Sequence, residues 1–154
     1  GYAPDARDGL GEALAPFGEP LLIEAGLRVA VDGKAPYDRF RDRLMLPIHD
    51  SRGRVIGFGG RLLALQPTAP AGNAPKYLNS PDTPLFDKGR TLYNLHRAAP
   101  AARKAGRVIA VEGYMDVVAL ARAGITEAVA PMGTALTEAQ LEALWRLCDR
   151  PLLC

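Results

Sequence analysis

The sequence is poor in side chains that cross-link a chain or hold a metal. It has two cysteines and two histidines. Cys148 and Cys154 give neither a disulfide framework nor zinc-ligand spacing. Both stand in apolar surroundings and are expected as buried free thiols, which suits a reducing cytosol. His49 and His96 are isolated in sequence, without a partner at ligand spacing, and read as structural. No run approaches the roughly 18 apolar residues that span a bilayer, so no membrane partner is expected. The first residues, which begin Gly-Tyr rather than Met, lack the charged and apolar segments of a signal peptide. There is no G-x-x-x-x-G-K-[ST] loop and no G-x-S-x-G elbow, which argues against P-loop nucleotide hydrolysis and serine-hydrolase chemistry. Gly57-x-Gly59-Gly60 is not a dinucleotide fingerprint, because a loop and not a helix follows it. Internal repeats are absent, and the formal net charge is only +2.

What remains is the composition of a folded globular chain, with 48% hydrophobic and 23% charged residues over 154 positions. That length suffices for one compact domain or two small subdomains sharing an interface. The charge is unevenly placed. Arg39, Arg41, Arg43, Arg52, Arg54 and Arg61 face only Asp42 and Asp50 over the same stretch. Such a local excess fits a surface that meets phosphates, and equally a solvated strand face.

Residues 1–36 are rich in Gly, Pro and Ala, with a short helix expected over Leu21–Leu27 and ended by Gly26. Residues 43–63 read as a hairpin. Leu44, Leu46 and Ile48 alternate at the strand period, Asp50-Ser51-Arg52-Gly53 is a turn cluster, and Arg54–Arg61 returns. Glycines at 57, 59 and 60 weaken a strand unless its backbone must bend or approach something closely. Residues 64–75 form a Pro/Ala-rich loop. Lys76–Pro81 and Phe86–Arg90 are polar, basic clusters expected in loops or at strand ends. The last third is clearer. Arg107–Val111 is an apolar run expected as a buried parallel strand, broken by Glu112-Gly113. A helical pattern over 114–123 closes at Gly124, and Ile125–Ala130 is a second strand. Thr137 and Gln140 form a capping box for a second helix, on which Leu141, Leu144, Trp145 and Cys148 share one face. Pro151–Cys154 starts a third strand. This alternation is that of a doubly wound α/β unit with right-handed crossovers.

In such a sheet, ligands bind beyond the carboxyl ends of the strands. Glu112 stands there, Gly113 is expected to allow a sharp turn, and Asp116 follows about one helical turn later. Two carboxylates so placed could hold Mg²⁺ or take a proton from an attacking hydroxyl. Alternatively, Glu112 merely caps the next helix, where negative charge is favoured. Gly133-Thr134, at the neighbouring strand tip, could admit a ligand closely or simply turn the chain.

Five segments are recognisable together: Tyr37–Arg43, Gly53–Arg61, Pro75–Pro81, Phe86–Arg90 and Val111–Val117. In this order they resemble the motifs of DnaG-type bacterial primases, and the resemblance covers nearly the whole chain. Val111-Glu112-Gly113 alone is shared by the wider TOPRIM group; the upstream motifs narrow the match. The resemblance implies a mixed α+β, basic N-terminal subdomain of the polymerase core over residues 1–98. It implies the first half of a Rossmann-like TOPRIM parallel sheet over 99–154. The implied activity is DNA-directed RNA synthesis, laying short RNA primers on single-stranded DNA in the cytoplasmic replisome. Glu112 matches the family's catalytic, metal-associated glutamate and Asp116 a supporting aspartate. Arg61, Lys76 and Lys88 match basic residues facing template and incoming ribonucleoside triphosphate. Arg39, Arg41, Tyr77, Asn79 and Arg90 match further positions of the same motifs.

Two-metal phosphoryl transfer supplies the logic, with Mg²⁺ or Mn²⁺ held by carboxylates and phosphates held by lysine and arginine. The family's Asp-x-Asp motif would begin where this sequence ends, at Cys154. The family's zinc-binding N-terminal domain, which holds the zinc, and its C-terminal domain, which meets the replicative helicase, lie outside the sequence. This stretch alone is therefore expected to be inactive in primer synthesis, with an unpaired sheet edge that favours marginal stability or self-pairing. Two other readings stay open: a non-catalytic module binding single-stranded DNA or nucleotide, and another TOPRIM enzyme such as a topoisomerase or nuclease.

Overall fold

The computed structural model describes residues 1–63, 75–133 and 135–154. Nearly all of the expected Pro/Ala-rich loop, and Thr134, lie outside the described residues. Among the described residues no helix is long and apolar enough to cross a membrane. The chain forms two compact units, residues 1–47 with 57–85, and residues 48–56 with 86–154.

The first unit is built on antiparallel pairing. Strand β1 (Tyr2–Ala3) pairs with β4 (Arg43–His49), and β5 (Val55–Leu62) pairs with β6 (Tyr77–Asn79), giving the order β1-β4-β5-β6. The expected hairpin over 43–63 is therefore present. Leu44 and Leu46 are only half-buried, however, while Ile48 is fully buried and Arg43 is 4% exposed, and these two buried positions, five residues apart, fall on opposite faces of the strand. At Gly60 a Cβ would stand 2.8 Å from Arg43 Cδ and 2.9 Å from Phe40 Cδ1, the close approach that explains glycine in this strand. Buried Ser80 extends the β5–β6 ladder, its amide donating to Phe58 O (2.8 Å) and its hydroxyl accepting from Phe58 N (3.0 Å).

Residues 1–36 hold more structure than their composition reveals. Helix α1 (Gly9–Ala13) starts under Asp38, whose carboxylate accepts from Leu10 N (2.6 Å) and Gly11 N (3.2 Å). Helix α2 (Glu19–Glu24) is the expected short helix, and Gly26 follows it with φ 69°. A second hairpin, β2 (Arg28–Val31) with β3 (Lys34–Asp38), turns at Asp32-Gly33. Arg28 is buried and pairs with Asp8 and, at 3.7 Å, with Glu19.

The second unit is a parallel sheet of order β8-β7-β9, with β7 at Ile109–Ala110, β8 at Ala128–Val129 and β9 at Leu152–Leu153. The strands are shorter than the apolar runs that encode them, but their side chains alternate as strand geometry requires. Val108 and Ala110 join a core with Leu92, Ala98, Ala102, Val129 and Leu144. Ile109 and Val111 turn to the other face and pack with Val117 and Ala130. Helices α3 (Leu95–Ala105) and α5 (Glu138–Trp145) supply residues to the first core and α4 (Tyr114–Arg122) to the second, so both faces are covered. Phe86 and Leu92 are buried in this unit, and packing thus groups residues 86–98 with it.

Three local expectations are corrected. Trp145 is 57% exposed rather than on the packed face of α5. Successive helix residues turn by about 100°, and a stripe centred on Gln140 and Leu144 leaves Trp145 at its rim. Cys154 is exposed, following an edge strand whose own leucines are exposed, while Cys148 is half-buried against the core. His49 and His96 are not isolated: their rings stack with centroids 4.4 Å apart, because the hairpin tip meets α3 within this unit.

Candidate active site

Glu112 follows Val111 directly off the carboxyl end of β7, and it is exposed. It borders a cavity of about 420 Å³ whose walls include Val111, Pro131, Gly133, Ala135 and Leu136. The two strand tips that flank this cavity are made differently. Gly133 has φ 99°, a conformation that favours glycine. Gly113 has φ −154°, an extended backbone open to any residue, so the sharp turn expected there is not what selects glycine.

The cap on α4 comes from Asp116, whose Oδ2 accepts from Gly113 N at 3.1 Å. The hydrogen-bonded cap of α4 is thus Asp116, and Glu112 lines the cavity. Asp116 is exposed, with one oxygen committed to the backbone. A carboxylate is a hard oxygen donor of the kind that Mg²⁺ takes, usually one or two per ion with water and phosphate completing the shell. Glu112 fits that role as one ligand. No cluster of three or more His, Cys, Asp or Glu side chains at ligand distance occurs among the described residues.

Lys88 and Arg90 belong to the same unit as Glu112, in a turn over Asp87–Thr91. Asp87 Oδ1 accepts from Gly89 N (2.8 Å), and Asp87 O accepts from Thr91 N (3.0 Å) and Thr91 Oγ1 (2.6 Å). The turn thus uses its amides internally and presents carbonyls outward. Lys88 is half-buried and Arg90 exposed.

The remaining basic positions lie in the first unit: Arg61 on β5, Lys76 just before β6, and Arg39 and Arg41 in the segment between β3 and β4. Arg61 is half-buried opposite Tyr77, and its Nε is buried without a hydrogen-bond partner among the described residues. Lys76 is exposed, with Nζ 5.9 Å from the ring centre of Tyr77, itself 41% exposed. Arg41 is exposed and lies 5.4 Å from the ring centre of Tyr37.

Arg39 is different. Its Nε and Nη2 both donate to Asn79 O, at 3.1 and 3.0 Å, and burial pulls its pKa down. That guanidinium is engaged in holding β6. Asn79 contributes its backbone to the bond, and its side chain is half-buried. Arg43, which sequence reading counted only within the arginine run, is buried and donates through Nη1 to Gly60 O (3.1 Å) and Pro75 O (3.0 Å). Nothing in the local pattern separates such an arginine from a phosphate-facing neighbour, since its acceptors lie 17 and 32 residues away.

Two family descriptions match the chain. Residues 1–99 match the family described as DNA primase catalytic core, N-terminal domain, and residues 106–154 match the Toprim domain. The DNA primase of Neisseria meningitidis is 47% identical over 154 residues, covering 100% of this chain and 25% of the relative. That of Synechococcus elongatus is 51% identical over 153 residues, covering 97% of this chain and 21% of the relative. The crystal structure of a DNA primase domain from Pseudomonas aeruginosa superposes with a TM-score of 0.87 at 47% identity, covering 100% of this chain and 47% of that one. A DnaG primase catalytic domain bound to ssDNA gives 0.84 at 46% identity, covering 100% and 46%. The chain spans about a quarter of the length of the curated relatives. With residues 1–99 matched to one domain and residues 106–154 to the next, the chain belongs to the family of DNA primase catalytic cores, running from the N-terminal domain into the Toprim domain.

Proposed function

We propose that the chain is part of the polymerase core of a bacterial DNA primase, a cytoplasmic DNA-directed RNA polymerase that lays short RNA primers on single-stranded DNA. Residues 1–98 then contribute the basic N-terminal subdomain and residues 99–154 the first half of the TOPRIM subdomain. The observation that carries this reading is Glu112, exposed at the carboxyl tip of a buried parallel strand and bordering a cavity. Glu112 would hold a divalent ion, Mg²⁺ or Mn²⁺, which when bound would neutralise triphosphate charge and acidify the attacking 3′-hydroxyl. Asp116 supports it indirectly, fixing Gly113 and the first turn of α4 by accepting the hydrogen bond of the Gly113 N–H. Lys88 and Arg90 would meet phosphates of the incoming ribonucleoside triphosphate, and Arg61, Lys76 and Arg41 the template backbone, as point charges and forks do. Tyr77, 41% exposed beside Lys76, would add aromatic surface to that contact. Zinc and the replicative helicase would be engaged by other parts of the parent protein.

The test uses the full polymerase core of the parent. Glu112→Gln keeps the shape and removes the charge. Primer synthesis should fall by about 100-fold or more, the scale of losing a group that acts on the reacting atoms, while affinity for single-stranded DNA stays within about twofold. Undiminished synthesis by that variant would overturn the assignment.

A further inference from the structure

Gln140 does more than complete a helix cap. In a capping box the residue three places into the helix needs only an acceptor oxygen, and glutamate serves as well as glutamine. Gln140 Oε1 does this, accepting from Thr137 N at 3.1 Å, while Thr137 Oγ1 accepts from Gln140 N at 3.2 Å. The amide nitrogen of Gln140 is then free of helix duty, and it donates to Lys88 O (3.0 Å) and Thr91 O (2.8 Å). Thr137 likewise uses its hydroxyl twice, donating to Gly89 O at 2.5 Å. Gln140 is 1% exposed, so these bonds are shielded from water. Three outward carbonyls of the Asp87–Thr91 turn are thus held by two side chains at the start of α5. The same start of α5 follows Ala135 and Leu136, which border the cavity beside Glu112.

We infer that Thr137 and Gln140 are positioning residues for primer synthesis: they clamp the turn that carries Lys88 and Arg90 to the helix beside the Glu112 cavity. This rests on the reading of Lys88 as a triphosphate-binding residue. The clamp explains why an amide stands at position 140. A carboxylate there would cap the helix but would set a buried negative oxygen against two carbonyl oxygens, with no proton to share.

The experiment uses the full polymerase core. Gln140→Glu preserves the capping acceptor and removes both donors. Thr137→Asp, at a position where aspartate is a good cap, preserves the acceptor and removes the donor to Gly89. Each should raise KM for the ribonucleoside triphosphate by about tenfold, the scale of one or two shielded hydrogen bonds, with affinity for single-stranded DNA unchanged. Thr137→Ser, which keeps donor and acceptor, should restore KM. In a Lys88→Ala background Gln140→Glu should add less than about twofold, because both act through one group. Hydrogen exchange at the Arg90 and Thr91 amides, both bonded to Asp87 O, should speed up in Gln140→Glu and Thr137→Asp irrespective of activity. Unchanged exchange in both variants would overturn the clamp. Faster exchange with a KM penalty that multiplies fully with that of Lys88→Ala would overturn the positioning role. If the wild-type core made no primers, the function proposed above would fail and the positioning role with it, while the exchange result would still decide the clamp.

Discussion

Replacing Arg43 with methionine tests whether a buried charge organises the first unit. Methionine keeps the apolar stem and removes every donor. The guanidinium makes two well-formed bonds, to Gly60 O at 3.1 Å and Pro75 O at 3.0 Å, and a third contact to Lys76 O at the 3.5 Å limit, which we discount. Charge-assisted bonds of this kind contribute about 1.5–3 kcal/mol each. Burial lowers the Arg43 pKa, the sign of a desolvation cost that opposes the bonds and disappears with the charge. The net loss should be about 2–4 kcal/mol, since the carbonyls left behind in a site only 4% exposed must find other donors. Urea denaturation followed by far-ultraviolet dichroism measures this as a lower midpoint at unchanged slope. Arg43→Lys, with a shorter overall reach but three donors, should recover part of the loss. Equal stability of Arg43→Met and wild type would refute the argument, because it would mean that the bonds and the burial cost cancel and that this arginine organises nothing.

Gly60→Ala should destabilise by about 1–3 kcal/mol, the cost of overpacking, as its Cβ would meet Arg43 Cδ and Phe40 Cδ1 within 3 Å; a thermal melt at or above the wild-type midpoint would contradict it. Burial first, then His49 and Arg97, lower the His96 pKa below 6.5, against an opposing pull from Asp50. The folded state therefore binds fewer protons than the unfolded one, so this contribution is present above the unfolded pKa and is lost as pH falls through the folded value. Stability should therefore drop as pH falls below about 6.5, and His96→Phe should flatten that part of the curve in denaturation at stepped pH. Lys76→Ala in the full core should weaken single-stranded DNA binding with little regard to sequence and reduce the salt slope by about 0.7; an unchanged slope in a fluorescence-anisotropy titration would remove Lys76 from the template contacts.

Elements with local signals were legible in the sequence. The apolar run before Glu112, Gly124 after α4 and the Thr137–Gln140 box each encode their neighbourhood within a few residues, and the parallel sheet follows from them. The turn at Asp50 was legible for the same reason, since one carboxylate there accepts from Arg52 N and Arg54 N. Helix α3 was not read, because Pro100 stands inside it and usually marks a break. The Asp32-Gly33 hairpin is obscured by its short, Ala- and Pro-containing strands. The position of Glu112 at a strand tip could be inferred from order alone. The engagement of Arg39 and Arg43 could not, because it depends on carbonyls brought from distant parts of the chain. The second duty of Gln140 was hidden likewise: the capping pattern explains one of its atoms, and the partners of the other lie about fifty residues earlier.

The hairpin of β4 and β5 divides between the two units, its strands counted with one and its tip, residues 48–56, with the other. Cutting the gene between the two segments that family comparison separates, residues 1–99 and 106–154, would therefore split the second unit. A piece that starts at residue 106 leaves behind α3, Leu92, Ala98 and the stacked imidazoles, and with them part of the sheet's own covering. Dissection of this protein would have to follow the packing and carry the hairpin tip, residues 48–56, along with residues 86–154.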